Sequence, residues 1–300
     1  MNTERQSPRY ADIDSWDLSD ALEAMIDGQF AALAAVRAAR KSIEQAAIAM
    51  EGRLRYRGRL IYAGAGTSGR LAVQDGAELM PTFSWPRERL ILLMAGGEHA
   101  LVRSIEGAED EVDIAIQLVR EHHVDGKDAM IAVAASGTTP FTVACLREAK
   151  RLGALTVGIA NNADTPLLRY SDHPIWLDTG AEPIAGSTRL TAGTSQKITL
   201  NLLSSLLMIG LGRVYGGLMV DVQATNEKLL RRSEDMLIRI TDCDREAARD
   251  ALGRAHGSVK LAVLLLRGCE LDHATDVLAR ANGRLREALS LFAKGSTHAA

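Results

Sequence analysis

Three short segments of this chain combine glycine with hydroxyl side chains: Gly64-Ala65-Gly66-Thr67-Ser68-Gly69-Arg70, Ser136-Gly137-Thr138-Thr139 and Gly186-Ser187-Thr188-Arg189. Hydroxyls beside backbone N–H groups at the start of a helix make an anion site with extra donors. A ligand with one phosphate and several hydroxyls needs several such donors in one crevice. Each segment also admits a plainer role, because Ser and Thr are common helix N-caps. The first segment fits GxGxxG as well, the signature of a dinucleotide loop. That reading wants an acidic residue at the end of the second strand to hold a ribose. Ala95-Gly96-Gly97 stands there, and the nearest acid, Glu98, comes late. Two further acids stand out. Glu78 lies in Asp75-Gly76-Ala77-Glu78-Leu79-Met80-Pro81, and Glu109 lies in Glu106-Gly107-Ala108-Glu109-Asp110. Glu106, Glu109 and Asp110 form a cluster of like charge, which raises one carboxyl pKa if the cluster is buried. A carboxylate active near neutrality is what proton abstraction beside a carbonyl requires.

The surrounding pattern supplies elements to position these groups. Apolar runs at 60–63, 90–94, 130–135, 155–160 and 174–177 read as strands. Helical segments alternate with them, starting near 67–68, 98, 109, 139–140 and 193. Strands this apolar need both faces covered, which predicts an α/β fold with a parallel sheet between helical layers. Ligands then bind at the carboxyl ends of the strands, where the hydroxyl loops fall. Before the sheet, Leu22, Ile26, Phe30, Leu33, Val36, Ile43, Ala47 and Met50 mark one stripe of a long amphipathic helix from Leu18 to about Met50, packed on the core or on another subunit. After residue 240, short helices at 244–256, 258–267, 272–281 and 284–292 predict a small helical module. The expected division is a helical arm at 1–55, a phosphosugar-binding domain at 56–220 and a helical region at 221–300.

Composition narrows the function. The formal charge is −3 and aromatics are 4% of 300 residues. That leaves no electrostatic footprint for nucleic acid or an acidic membrane. The longest apolar stretch, 198–211, is shorter than the ~20 residues that span a bilayer and is broken by Asn201, Ser204 and Ser205. The N-terminus lacks a secretory pattern. Cys145, Cys243 and Cys269 form no CxxC, which suits small core residues in a reducing, cytoplasmic compartment. No histidine spacing suggests a zinc site.

Five motifs in register, GAGTSGRL at 64–71, AGGEHALVRSIEGAED at 95–110, AASGTTP at 134–140, GSTRLTAGTSQK at 186–197 and MVDVQATNEKL at 219–229, closely resemble the N-acetylmuramic acid 6-phosphate etherases of the sugar isomerase (SIS) superfamily. The similarity also touches Thr3-Glu4, Ile13-Asp14 and the C-terminal helices, so it covers nearly the whole chain. The resemblance implies a five-stranded parallel sheet in a three-layer sandwich (the SIS fold) and a homodimer. It implies cleavage of the D-lactyl ether of N-acetylmuramate 6-phosphate to N-acetylglucosamine 6-phosphate and D-lactate, in cell-wall sugar recycling. It implies neither a metal nor an organic cofactor. By motif match Glu78 is the acid that protonates departing lactate, Glu109 is the second active-site acid, and Thr67, Ser68, Ser136, Thr138, Thr139 and Ser187 bind the phosphosugar. We assign the C2 proton to Glu109. The chain departs from the pattern at Leu79-Met80-Pro81, where Cys-Pro-Pro is common, at Thr138, a common Arg, and at Leu190-Thr191, a common Met-Lys. Two rivals share the fold: a phosphosugar isomerase, and a non-catalytic sugar-phosphate sensor resembling the glucokinase regulatory protein.

Overall fold

The computed structural model describes residues 1–222 and 227–296. Residues 223–226 of the motif at 219–229 therefore lie outside the described residues. The chain forms two compact units, 1–77 with 87–207, and 78–86 with 208–300.

The first unit begins with α1 (Leu18–Ala38) and α2 (Arg40–Leu54). The expected single helix is interrupted at Ala39 (φ −78°, ψ 2°). The expected stripe divides there too. In α2, Ile43, Ala46, Ala47, Met50 and Leu54 are buried, and the helix packs on the sheet. In α1 only Ala21, Gly28, Ala32, Ala35 and Val36 are buried. Leu18, Leu22, Ile26, Phe30 and Leu33, spaced by three or four, are left exposed.

The sheet follows, as β1 (Leu60–Gly64), α3 (Gly66–Phe83), β2 (Leu90–Met94), α4 (Val112–Glu121), β3 (Ala129–Val133), α5 (Pro140–Arg151), β4 (Leu155–Ala160), α6 (Pro166–Tyr170), β5 (His173–Trp176) and α7 (Thr191–Gly210). The strands are all parallel, in the order β2-β1-β3-β4-β5. Strand residues alternate between faces, and both faces are dry: Leu60, Ile61, Tyr62 and Ala63 are 0–1% exposed. Ile61, Ala63, Met130 and Ala132 meet Ala115 and Val119 of α4 and Phe141, Cys145 and Leu146 of α5 in one core. On the other face the Tyr62 ring lies where a Cβ on Gly76 of α3 would be 3.2 Å away, and the Tyr62 hydroxyl donates to buried Asp75 at 2.7 Å. Asn201 and Ser204 of α7 also donate to Asp75, at 2.6 and 3.1 Å. Where a helix was expected from Glu98, there are short 3-10 turns at Glu98–Leu101 and Ala108–Asp110. Gly96, Gly97 and Gly107, all with positive φ, interrupt that segment.

One ion cluster on the α4–α5 side makes a pH prediction. Glu148, buried on α5, accepts from Arg151 Nε at 2.8 Å and from Arg120 Nε of α4 at 2.6 Å. The Arg151 bond, outweighing burial and aided by Arg120, holds its carboxyl down to about 2. A depressed carboxyl contributes stability that is complete above its unfolded value of 4.5 and is lost as pH falls toward about 2. Glu148→Gln should lower the melting temperature at pH 7 and flatten the acid limb between those values. The two arginines are 59–60% exposed, so solvent screening makes the loss much smaller than a buried pair would give. A melting curve at each pH checks it.

The second unit carries the hairpin β6 (Val214–Tyr215) and β7 (Leu218–Met219), turned at Gly216-Gly217 with both φ positive. The helices α8 (Glu227–Thr241), α9 (Arg245–Arg254), α10 (Val259–Leu266), α11 (Leu271–Arg280) and α12 (Leu285–Ser296) complete it. Its core joins Leu237, Leu252, Val263, Ala274, Val277 and Ala288. Side-chain oxygens cap α9 and α10: Asp244 accepts from Ala247 N–H, and Ser258 from Leu261 N–H. Among the described residues no helix is long and apolar enough to cross a membrane.

Candidate active site

From β1 the chain crosses to the sheet edge at β2 and returns to β3 on the other side of β1. The carboxyl ends of β1 and β3 therefore flank a topological switch point, the place where open α/β sheets hold ligands. A cavity of about 410 Å³ opens there.

Its first wall is the turn from β1 into α3. A Cβ on Gly64 would lie 2.8 Å from Gly69 Cα, so these two glycines let strand and helix touch backbone to backbone. The close approach brings the first residues of α3, Gly66, Thr67 and Ser68, to the cavity. Their N–H groups are those a helix leaves without intrahelical acceptors.

The loop after β3 makes the second wall. Gly137 takes φ +70°, and a Cβ there would fall 2.2 Å from Thr165 Oγ1. Ser136 Oγ lies 3.2 Å from Thr139 Oγ1 and accepts from Thr138 N–H at 3.2 Å. Thr139 occupies the N-cap position of α5 but makes no side-chain cap bond. The residue lines the cavity with Ser136 and Thr138, and its hydroxyl pairs with Ser136 Oγ in place of a helix N–H, which distinguishes it from the capping role the sequence also allowed.

The segment before α7 behaves differently. Buried Glu182 accepts from Thr191 N–H and Ala192 N–H, both at 2.9 Å. The start of α7 is thus capped from within the chain. Thr188 lines the cavity; Ser187 precedes it and is not in the wall. Thr191 is buried, 3.1 Å from where a Cβ on Gly28 of α1 would stand, and is also not in the wall.

Among the described residues three acids line the cavity: Glu4, Glu109 and Asp110. Glu109 sits on the 3-10 turn 108–110 that follows Gly107 at φ +73°. It also lines an adjoining cavity of about 310 Å³ with Ser104, Ile105, Glu106 and Arg70. Glu106, Glu109 and Asp110 are all exposed, so the burial that their clustering needed is absent. Among the described residues no Lys or Arg is in the 410 Å³ cavity's wall. Arg70 donates to the carbonyls of Ala100 at 2.9 Å and Arg103 at 3.3 Å, stapling the loop that leads to Glu109.

Of the residues singled out in the sequence, Thr67, Ser68, Ser136, Thr138, Thr139 and Glu109 come together here. Glu78 does not. It is exposed on α3, about 15 Å along the helix axis from Ser68, and is outside the cavity wall. Sequence reasoning gave no role to Glu4, Asp110 or Thr188. Asp110 and Thr188 adjoin residues it did single out, whereas Glu4 reaches the site only through long-range folding.

A parallel sheet in this order, with hydroxyl loops at its switch point, is the arrangement of the SIS class of α/β domains. Consistently, the SIS domain family matches residues 99–206, and the glucokinase regulatory protein N-terminal SIS domain matches residues 41–150. N-acetylmuramic acid 6-phosphate etherase of Deinococcus radiodurans is 49% identical over 265 residues, 88% of this chain and 87% of that protein. The protein of the same name from Lactococcus lactis is 40% identical over 263 residues, 88% and 89% of the two chains. Among solved structures, a phosphoheptose isomerase from Francisella tularensis is similar with a TM-score of 0.49 and 18% identity, over 64% of this chain and 98% of that one. This chain belongs to the N-acetylmuramic acid 6-phosphate etherase family.

Proposed function

We propose that this protein is a carbon–oxygen lyase that cleaves the D-lactyl ether of N-acetylmuramate 6-phosphate, giving N-acetylglucosamine 6-phosphate and D-lactate in the recycling of cell-wall sugar. The observation that carries the reading is the union of hydroxyl loops and Glu109 in one cavity at the sheet's switch point, in a chain 49% identical to a named etherase.

The phosphate is received by neutral donors: the N–H groups that open α3, and the hydroxyls of Thr67, Ser68, Ser136, Thr138 and Thr139; Ser187, outside the cavity wall, is assigned to the substrate by its motif match alone. In the open-chain sugar the C1 aldehyde acidifies the C2 proton. Glu109 takes that proton, and the electron pair expels the lactyl oxygen from C3, which leaves protonated as D-lactate. Glu78 is assigned the departing proton by its motif match. Water then adds to C3 of the unsaturated aldehyde and a proton returns to C2. One water is consumed for each lactate released.

Incubation with N-acetylmuramate 6-phosphate tests this directly. D-lactate and N-acetylglucosamine 6-phosphate should appear in equal amounts. An isomerase or a sensor releases no lactate, so its absence would overturn the proposal.

The working form is proposed to be a homodimer. The exposed stripe Leu18, Leu22, Ile26, Phe30 and Leu33 on α1 supports this, with Phe30 67% exposed. Such a continuous apolar face is normally covered by a partner. Leu22→Glu with Phe30→Glu should shift the sedimenting mass from two chains to one.

A further inference from the structure

The N-terminal segment forms part of the cavity wall, and the way it is held gives Glu4 a role. Thr3 is completely buried. Asn162, after β4, binds this segment through its side-chain amide. Its Oδ1 accepts from Asn2 N–H at 2.7 Å and from Thr3 N–H at 3.4 Å. Its Nδ2 donates to Thr3 Oγ1 and to the Ala135 carbonyl, each at 2.9 Å. On the other side, Gly186 N–H donates to the Thr3 carbonyl at 3.3 Å. Residues 2–3 are thus pinned between Asn162, itself bonded to the loop that carries Ser136, and the loop that carries Thr188.

Glu4 comes next in the chain and stands in the wall with Ser68, Ser136, Thr139 and Glu109. Its carboxylate makes no hydrogen bond or ion pair with any described residue. Fixing a third negative side chain beside a phosphate site works against anion binding. The same carboxylate is a strong acceptor for the O–H donors of a sugar chain, and charge-assisted bonds exceed neutral ones. We infer that Glu4 is a substrate-binding residue whose carboxylate accepts a hydrogen bond from a hydroxyl on the carbon chain of the phosphosugar, selecting sugar phosphates over free phosphate. The inference rests on the etherase reading for its substrate, not for its geometry.

The test uses the full chain with Glu4→Ala and Glu4→Gln, reading KM and kcat for D-lactate release and the inhibition constant of inorganic phosphate. Glu4 is exposed and pairs with none of the described residues, so both variants should melt with the wild type. Glu4→Ala should raise KM about tenfold or more, the loss expected for a charge-assisted hydrogen bond. Glu4→Gln, which keeps an acceptor oxygen without the charge, should fall between. Inorganic phosphate should bind the variants as well as the wild type or more tightly, because a negative charge has left the site. An unchanged KM overturns the inference. So does parallel weakening of substrate and phosphate, which would mean that the segment only shapes the loops. A wild-type chain that releases no lactate refutes the etherase reading alone. The same variants are then compared by calorimetric binding of N-acetylglucosamine 6-phosphate and inorganic phosphate, where the same opposite shifts are expected and their absence overturns the inference.

Discussion

Replacing Glu109 with Gln should cut D-lactate release by about 100-fold or more, the range that a positioned general base supplies, and abolish deuterium uptake at C2. Glutamine keeps the size and the carbonyl oxygen but has no useful basicity, so the substitution isolates proton transfer. The site's construction predicts that KM changes little. In the proposed binding mode phosphate is held by the α3 turn and the 134–139 loop, both in the cavity wall, whereas Glu109 rides on a separate 3-10 turn after Gly107. Glu109 also borders both the 410 Å³ cavity and the adjoining 310 Å³ one. A base at that junction can reach C2, near the aldehyde end of the chain, while the phosphate end stays in the hydroxyl pocket. The measurement is mass spectrometry of sugar recovered from deuterated water. Exchange at C2 that persists in Glu109→Gln would remove Glu109 from the role.

The sequence made the sheet legible because a buried parallel strand has little choice of residue. The runs at 60–63, 90–94 and 155–160 are apolar on both faces, and the strands fall at Leu60–Gly64, Leu90–Met94 and Leu155–Ala160. The hydroxyl loops were legible for a related reason: the turn out of such a strand needs glycine, and a phosphosugar needs donors. What stayed hidden depends on residues far apart in the chain. Nothing about Ala39 marks a helix break, since alanine suits either half. The division of the 18–50 stripe into a buried and an exposed half depends on which half reaches the sheet. Glu182 reads as one more surface acid until folding brings it onto the first N–H groups of α7. Glu4 is hidden for the same reason, because its neighbours are placed by Asn162, about half the chain away. Local pattern thus reveals the walls that belong to single loops, and misses the groups that one segment lends to another.

Glu78→Gln should lower lactate release by a similar factor, about 100-fold, with the opposite isotopic result. Elimination has two proton demands. The base must remove the C2 proton, and the alkoxide leaving C3 must gain one, since an alkyl alkoxide is a poor leaving group near neutrality. If only the second demand fails, C2 is deprotonated and reprotonated many times before the ether breaks. Recovered substrate should then carry more deuterium at C2 than substrate recovered from the wild type at equal turnover. Glu109→Gln and Glu78→Gln would be nearly equal in lactate release and opposite in exchange, a pattern that general destabilisation cannot produce. The comparison is most informative for Glu78, because its assignment rests on the motif at 75–81 and its side chain is exposed outside the cavity wall. Lactate release unchanged in Glu78→Gln would transfer the acid role to a carboxyl already in that wall, and Asp110 is the one not otherwise assigned. Asp110→Asn would then have to show the high-exchange, low-lactate behaviour in its place.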